Sequence, residues 1–554
     1  MKASDKDADN NISERKVDSF MHTLKVEVKG DSAFVNKIFE ISDLARKCGN
    51  QLISVLNNRL KQVHQTKKYR KLCDLIDKNK KNKELVKKYK EQLEELYKQY
   101  GLTKSGCEAA MNNIRHRINK GRKYQLGSIF AQSKADSIYM GLRKILDGSA
   151  KTLHFSAFGN YPALKAKEIS RGIILSIKNG DLQFSYDNQI LNLYIKDQFI
   201  KDELSCIAYY LANIERIEKA AKNHKEKEKA AKESNSCLTP FSTYRPCCMS
   251  FMPQEIRFKK RVFLHIMIKG APVEKRDKEG SLRYKKGKGR CAYDLNTQHV
   301  AQVGTRSDPI LSNLAERGDS LKKGVRKEAK YQNAMSRSLR ENNPDNFNED
   351  GTLKKGKHQW YHSKNYKWIR KKFKDTCRKN AATRKCANNE LANRMIEGCC
   401  EVVTEHNNVR SWAKRSKTLT KNKNGRFNRR KRFGRSVRNR CPGGLNSIIQ
   451  RKIQERGGRF LEVPNNYRAS QYDHTADDYI KKTLDQRMFN LKDGTLVQRD
   501  WYSAFLLYCY DPVNGTIDKV KCQTEFPKQY RKLKKLVSYL KKERIKVYNT
   551  GIKV

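Results

Sequence analysis

A chain with 119 Lys and Arg set against 59 Asp and Glu carries a formal charge of +60. Such a chain repels itself, and a polyanion that cancels the charge is the simplest remedy, so nucleic acid is the expected partner. Apolar residues make up 37% of the total, enough to build real cores. The 554 residues suit about two to four domains. A bilayer span is excluded, because one of the longest apolar runs, Ala504 to Cys509, is far too short. The start, Met1-Lys2-Ala3-Ser4-Asp5-Lys6-Asp7, lacks the apolar stretch of a secretion signal, which points to the cytoplasm. The fifteen cysteines, scattered from Cys48 to Cys522, include no C-x-x-C, so they read as reduced, mostly buried thiols.

Local patterning divides the chain. Residues 1–20 are polar and expected to be disordered. Met21 to Val28 alternates apolar with polar side chains, as a strand with one buried face does. A basic helical region follows, in which Leu85, Tyr89, Leu93, Leu96 and Tyr100 form an apolar stripe that Gly101 ends. Gly172–Ile177 and Leu182–Tyr186 flank Asn179-Gly180-Asp181 and predict a hairpin; Leu191 to Ile195 and Val262 to Ile268 predict further strands. Lys219 to Glu233 reads as a solvated helix or linker, and a domain boundary is expected between Lys275 and Arg290.

Three acids stand out because each lies on an apolar segment, where an unpaired carboxylate is costly. Asp294 follows Cys291-Ala292-Tyr293, in a strand that turns into a second strand, Val300 to Gly304. Glu405 closes the strand Cys399 to Thr404, and Asp500 opens a buried helix, Trp501 to Tyr508. After Glu405 a helix buries Leu445, Ile448, Ile449 and Ile453, stops at Gly457-Gly458, and leads into the strand Phe460 to Val463. That is a βαβ unit and implies a partly parallel sheet. Acids at strand ends and at a helix start are one way to gather oxygen ligands around Mg²⁺; isolated structural acids are the other reading of the same pattern.

These segments resemble the split RuvC nuclease motifs of the TnpB family and its descendants, the miniature type V CRISPR effectors. Ala292-Tyr293-Asp294-Leu295-Asn296 is similar to the first motif, usually G-I-D-L-G. Val402-Val403-Thr404-Glu405-His406-Asn407-Asn408-Val409 is similar to the second, and Arg499-Asp500-Trp501-Tyr502-Ser503-Ala504 to the third. Gly457 to Val463 and Ser470-Gln471 fall in the family's order between them. The resemblance is clear over about residues 285–510. It implies a multidomain α/β and α+β protein with an RNase H-like (RuvC) nuclease domain at 286–520, carrying a helical insertion at 308–395 and a target-strand-loading segment at 466–499. An oligonucleotide-binding β-barrel, the wedge, would occupy 21–33 and 151–285, interrupted by a helical recognition lobe at 34–150, and 521–554 would be a basic helical tail. Relatives place two cysteine pairs between the second and third motifs; Gln471 to Gln498 has none, so no zinc is expected. Ala292 and Asn296 replace the usual glycines.

The implied function is RNA-guided DNA cleavage at one RuvC site, in the cytosol of a prokaryote beside its nucleoid. Asp294, Glu405 and Asp500 would be the catalytic Mg²⁺ ligands, two ions in all, with guide RNA and target double-stranded DNA as partners and a homodimer on one RNA as a further option. A transposon-encoded TnpB-type nuclease, a non-cleaving RNA-guided repressor and a strand-transferring transposase are the rivals. Ser411 to Arg440 holds thirteen Lys or Arg. Of these, Lys414, Arg415, Arg426, Arg429, Arg430, Arg432, Arg435 and Arg438, with Trp412 and Phe433, are candidate nucleic-acid contacts, the aromatics by stacking. Arg487 is a candidate phosphate contact, and His406 and His474 are candidate bases whose ordinary alternative is a structural role.

Overall fold

The computed structural model describes residues 20–233, 242–277, 279–284, 287–305, 308–314, 318–414, 434–464, 467–480 and 486–553. They form two units of mixed α and β structure, one built mainly from residues 1–225 and 241–273, the other from 226–240 and 274–554. Nearly all of the stretch read as a disordered start lies outside the described residues. No helix among the described residues is long and apolar enough to cross a membrane.

The first unit opens with β1 (Met21–Lys29) and five helices: α1 (Ser32–Gln65), α2 (Lys67–Lys78), α3 (Lys83–Gln99), α4 (Lys104–Asn119) and α5 (Ser128–Leu146). The Asp31 carboxylate caps α1 by accepting from Phe34 N at 2.7 Å. Ile38, Ile41, Ala45, Cys48, Leu52 and Leu56 then recur at helical spacing and are buried, with α4 and α5 packed alongside. The stripe read on α3 is buried only near its end, at Leu96, while Leu85 is exposed. The reason is that α2 and α3 pair chiefly with each other, and of the α3 residues only Leu96 and Tyr97 enter the unit's main core fully buried.

The strands that follow are β2 (Leu164–Ala166), β3 (Ile173–Lys178), β4 (Asp181–Tyr186), β5 (Gln189–Ile190) and β6 (Asn192–Tyr194). Helices α6 (Gln198–Ala212) and α7 (Ile214–Glu233) come next, then β7 (Arg245–Ile256) and β8 (Lys259–Lys269). The β3–β4 turn has positive φ at Asn179 and Gly180, the twist that a two-residue hairpin requires. The strands make an open sheet in the order β2-β7-β8-β1-β6 and a separate one, β3-β4-β5. The expected β-barrel is therefore corrected: among the described residues no barrel closes. The edge strands β2 and β6 are three residues each, and β3–β5 pair only among themselves. The sequence reading also missed β7, because Pro246 and Pro253 argue against a central strand. Both are accommodated because β2 covers only Met249–Phe251 of that edge.

The second unit is built on β9 (Gly289–Leu295), β10 (His299–Gly304) and β11 (Ile310–Asn313), then α8 (Gly318–Glu341), α9 (Lys364–Met395), β12 (Cys399–Glu405), α10 (Val409–Trp412), α11 (Gly434–Arg440), α12 (Pro442–Glu455) and β13 (Arg459–Val463). Two small hairpins follow, β14 (Tyr472–Asp473) with β15 (Asp478–Tyr479), and β16 (Met488–Asn490) with β17 (Leu496–Gln498). Then come α13 (Arg499–Tyr508), the hairpin β18 (Tyr510–Asp511) and β19 (Thr516–Ile517), and α14 (Lys519–Lys542). The sheet order is β11-β10-β9-β12-β13. The pairs β9–β12 and β12–β13 are parallel, with α12 as the crossover of the expected βαβ unit. Ile310–Asn313, read as part of the helical insertion, is instead an edge strand.

The two sheet faces bury different helices. Cys291, Tyr293, Leu295, Val300 and Val402 pack with Leu391, Met395, Leu445, Ile449 and Ile453 of α9 and α12. Ala292, Ala301, Val303, Val403 and Val463 pack with Trp501, Tyr502 and Phe505 of α13 and with Phe526 and Leu533 of α14. The residues read as a tail are thus part of the core. Asp473 ties the hairpins of the cysteine-free segment together, accepting from Thr475 N at 3.0 Å and Lys492 N at 3.1 Å.

Candidate functional site

Side chains alternate across a strand, so register decides which of them meet. Arg290 and Arg459 stand level with Glu401, Ala292 and Leu461 with Val403, and Val463 with Glu405. Asp294 lies two residues beyond Ala292 and one beyond Tyr293, which is level with Thr404. All of these except Tyr293 and Thr404 share the face covered by α13. Asp294 and Glu405 therefore end adjacent parallel strands, at the edge where open α/β sheets present ligand sites. At the opposite end of the same face, Glu401 is ion-paired with both Arg290 and Arg459. An apolar layer separates the two ends by ~13 Å, four residues of strand rise.

The third acid reaches this edge from α13. Gln498 caps that helix, its Oε1 accepting from Trp501 N at 2.6 Å. Asp500, in the first helical turn, is 2% exposed. Its Oδ2 accepts from His299 Nε2 and from Gln498 Nε2, each at 3.0 Å. Its Oδ1 accepts from Arg499 Nε at 3.3 Å and Nη2 at 3.2 Å. Arg487 Nη1 stands 3.9 Å from Oδ2.

The three carboxyls differ electrostatically. Burial alone would raise Asp500, but the His299 hydrogen bond and the Arg499 charge outweigh it and hold the group well below the usual carboxylate range. Asp294 moves the other way: burial pushes it well up, and the neighbouring Glu405 and Asp500 charges add to that, against opposition from Arg499. Burial raises Glu405 as well. Asp500 is thus a pinned anion, whereas Asp294 sits in the field of two like charges.

Among the described residues, no group of three or more His, Cys, Asp or Glu side chains is arranged to hold a metal ion as it stands. The chemistry of the donors nevertheless fits a hard divalent cation. They are carboxylate oxygens, and the repulsion acting on Asp294 is what such a cation relieves.

The remaining sequence candidates fare unevenly. Arg487 lies beside Asp500. Trp412, read as a base-stacking residue, packs partly buried against the α9–α12 face of the sheet, because α10 follows directly from β12. The Arg438 guanidinium donates to Glu328 Oε2 at 2.7 Å, and Lys414 is exposed. Arg435 is placed in α11; its side chain, like Arg415, Arg426, Arg429, Arg430, Arg432 and Phe433, lies outside the described residues. His474 is structural: it is 2.8 Å from the Tyr502 hydroxyl and packs on Phe526 with ring centroids 4.4 Å apart. His406 pairs with Glu462 at 3.1 Å. The sequence reading missed His299 and Gln498; the one available signal was a polar residue opening the otherwise apolar strand His299-Val300-Ala301.

Gln498→Ala removes both the α13 cap and a donor to Asp500. It is expected to cost about 1–3 kcal/mol, read as a lower urea midpoint at unchanged slope.

No family model matches the sequence, and no curated protein does. Among solved structures, a Cas12f1–sgRNA–target DNA complex matches with a TM-score of 0.41 and 11% identity, over 90% of this chain and 99% of that one. The mini-RNA-guided endonuclease CRISPR-Cas_phi3 matches with a TM-score of 0.31 and 10% identity, over 88% and 91%. A Cas12i–crRNA–dsDNA complex matches with a TM-score of 0.25 and 10% identity, over 79% of this chain and 56% of that one. All three scores are too low to bear on the site, which stands on its own geometry.

Proposed function

We propose that the chain is an RNA-guided DNA endonuclease, of the kind of the miniature type V CRISPR effectors, whose second unit is an RNase H-like (RuvC) nuclease domain. The observation that carries this is the convergence of Asp294, Glu405 and Asp500 on one face and one edge of the sheet β11-β10-β9-β12-β13. In that sheet the first three strands of the unit form an antiparallel meander, and the next two join parallel to the first of them.

Asp294, Glu405 and Asp500 would hold Mg²⁺, which when bound activates water and offsets charge at a phosphodiester. The protein's own contribution is placement. Strand register sets Asp294 beside Glu405, and α13 delivers Asp500 with one oxygen locked from behind. Glu405 orients the attacking water through its carboxylate. Arg487, at the edge of the carboxyl group, can engage a phosphate oxygen. Base pairing with a guide RNA would supply sequence choice, so the chain needs charge and shape rather than a code for reading bases, which suits a net +60.

The test is to sequence RNA that co-purifies with the chain, then assay Mg²⁺-dependent cleavage of a duplex matching its variable end. One discrete RNA species, with cleavage lost after RNase treatment, is the expected result. Cleavage that survives RNase would point to a transposase-like enzyme instead. Binding without cleavage would point to a repressor, a reading that the full engagement of both Asp500 oxygens keeps in play.

A further inference from the structure

We infer that His299 is a positioning residue for Asp500: by holding Oδ2 it leaves Oδ1 as the oxygen that meets a cation, and Arg499 is the resident charge that the cation displaces. This rests on the reading above that Asp500 is a cation ligand.

The local fold places the imidazole with little freedom. The β9–β10 turn closes with Asn296 N donating to the His299 carbonyl at 3.0 Å and with Val300 paired to Leu295. His299 then opens β10 on the face shared by Ala301 and Val303, toward α13, with no solvent exposure. A carboxylate oxygen only accepts, so Nε2 donates to Oδ2. Nδ1 is buried and has no hydrogen-bond partner among the described residues. Leaving such an atom unpaired works against folding. A Leu or Phe here would avoid that cost, so packing alone does not account for an imidazole at this place. What the imidazole supplies is one directed bond to Asp500.

The two oxygens of Asp500 are held differently. Oδ2 is gripped from within the core by His299 and Gln498, both at most 1% exposed. Oδ1 instead accepts from the guanidinium of its sequence neighbour Arg499, at 3.2 Å and 3.3 Å. That guanidinium also acts on Asp294, so it occupies the electrostatic position that a shared cation would take. Losing the His299 bond leaves Gln498 as the core donor to Oδ2, a weaker hold against rotation of the carboxylate, and the oxygen offered beside Asp294 is less sharply defined. Supporting residues behind a ligand act in this way and alter metal affinity by about 10–100-fold.

The test compares His299→Phe, His299→Gln and His299→Asn with Asp294→Ala in the full chain. Three quantities are read: Mn²⁺ binding to the RNA-free chain by electron paramagnetic resonance, the Mg²⁺ dependence of cleavage by the RNA-loaded protein, and the melting temperature. A Gln amide nitrogen can stand where Nε2 stands, whereas the shorter Asn cannot reach Oδ2. His299→Phe and His299→Asn are expected to weaken Mn²⁺ binding about 10–100-fold and to move the Mg²⁺ midpoint up by a similar factor. His299→Gln is expected to restore most of both. Should the Phe variant fail to fold, the Gln and Asn pair carries the comparison. Equal behaviour of Gln and Asn, or wild-type Mn²⁺ binding in the Asn variant while Asp294→Ala loses it, overturns the role of His299. If Asp294→Ala also keeps wild-type Mn²⁺ binding, the cation reading of the whole site fails instead.

Discussion

Asp294→Ala is expected to lower Mg²⁺-dependent cleavage by at least about 100-fold while leaving RNA and DNA binding within about twofold of wild type. The separation follows from placement. Asp294 is half-buried near the end of a central strand, facing Glu405 and Asp500, and adds nothing to a cationic surface. The same substitution is expected to leave the melting temperature unchanged or higher. Burial and two like charges raise the Asp294 carboxyl, so its charged form opposes folding, and alanine removes that opposition. A variant that still cuts, or that loses binding in step with cutting, would remove Asp294 from the chemistry. A marked loss of stability would show that its charge is compensated by contacts other than those described.

Glu401→Ala is expected to be the most destabilising single change on the same face, at about 3–5 kcal/mol. Glu401 is 5% exposed and lies between Arg290 and Arg459 on the two flanking strands. Arg290 also donates Nη1 to the Tyr510 carbonyl at 2.7 Å, so its guanidinium is not free to swing out to water. Removing the carboxylate takes the shared counter-charge away from both arginines, and breaking a buried pair costs far more than the pair contributes against an apolar substitute. Chemical denaturation measures the loss, and Glu405→Gln is the contrast. Four residues along the same strand and on the same face, Glu405 is in no ion pair among the described residues. Its change is expected to cost cleavage and little stability. A loss below about 1 kcal/mol for Glu401→Ala would mean that the two arginines relax onto other acceptors.

These two glutamates show how far a sequence can be read. Both sit on the run Cys399 to Glu405, and local pattern singles out Glu405 only because it closes the strand. That Glu401 is neutralised and Glu405 is not depends on arginines 111 and 58 residues away from Glu401. Asp294 and Asp500 were legible for a related reason, since a carboxylate inside an apolar segment stands out whatever surrounds it. Strand β7 was not legible, because two prolines tell against a central strand until the short β2 is seen to leave their edge uncovered. Trp412 shows a similar limit: a tryptophan in a basic stretch looks like a stacking platform, and the sheet face that it partly covers is visible only in the fold.

From the residues alone came the charge that calls for a polyanion, the period-two strands, the βαβ unit and the three acids, because charge, alternation and turn chemistry act over a few residues of chain. Tertiary structure decided that the amino-terminal strands form an open sheet, that α14 is part of the core, and that His299 meets Asp500 across 201 residues of sequence. Such contacts follow from register between distant strands and helices, and register is set by the packing of the whole sheet rather than by any one segment's propensity.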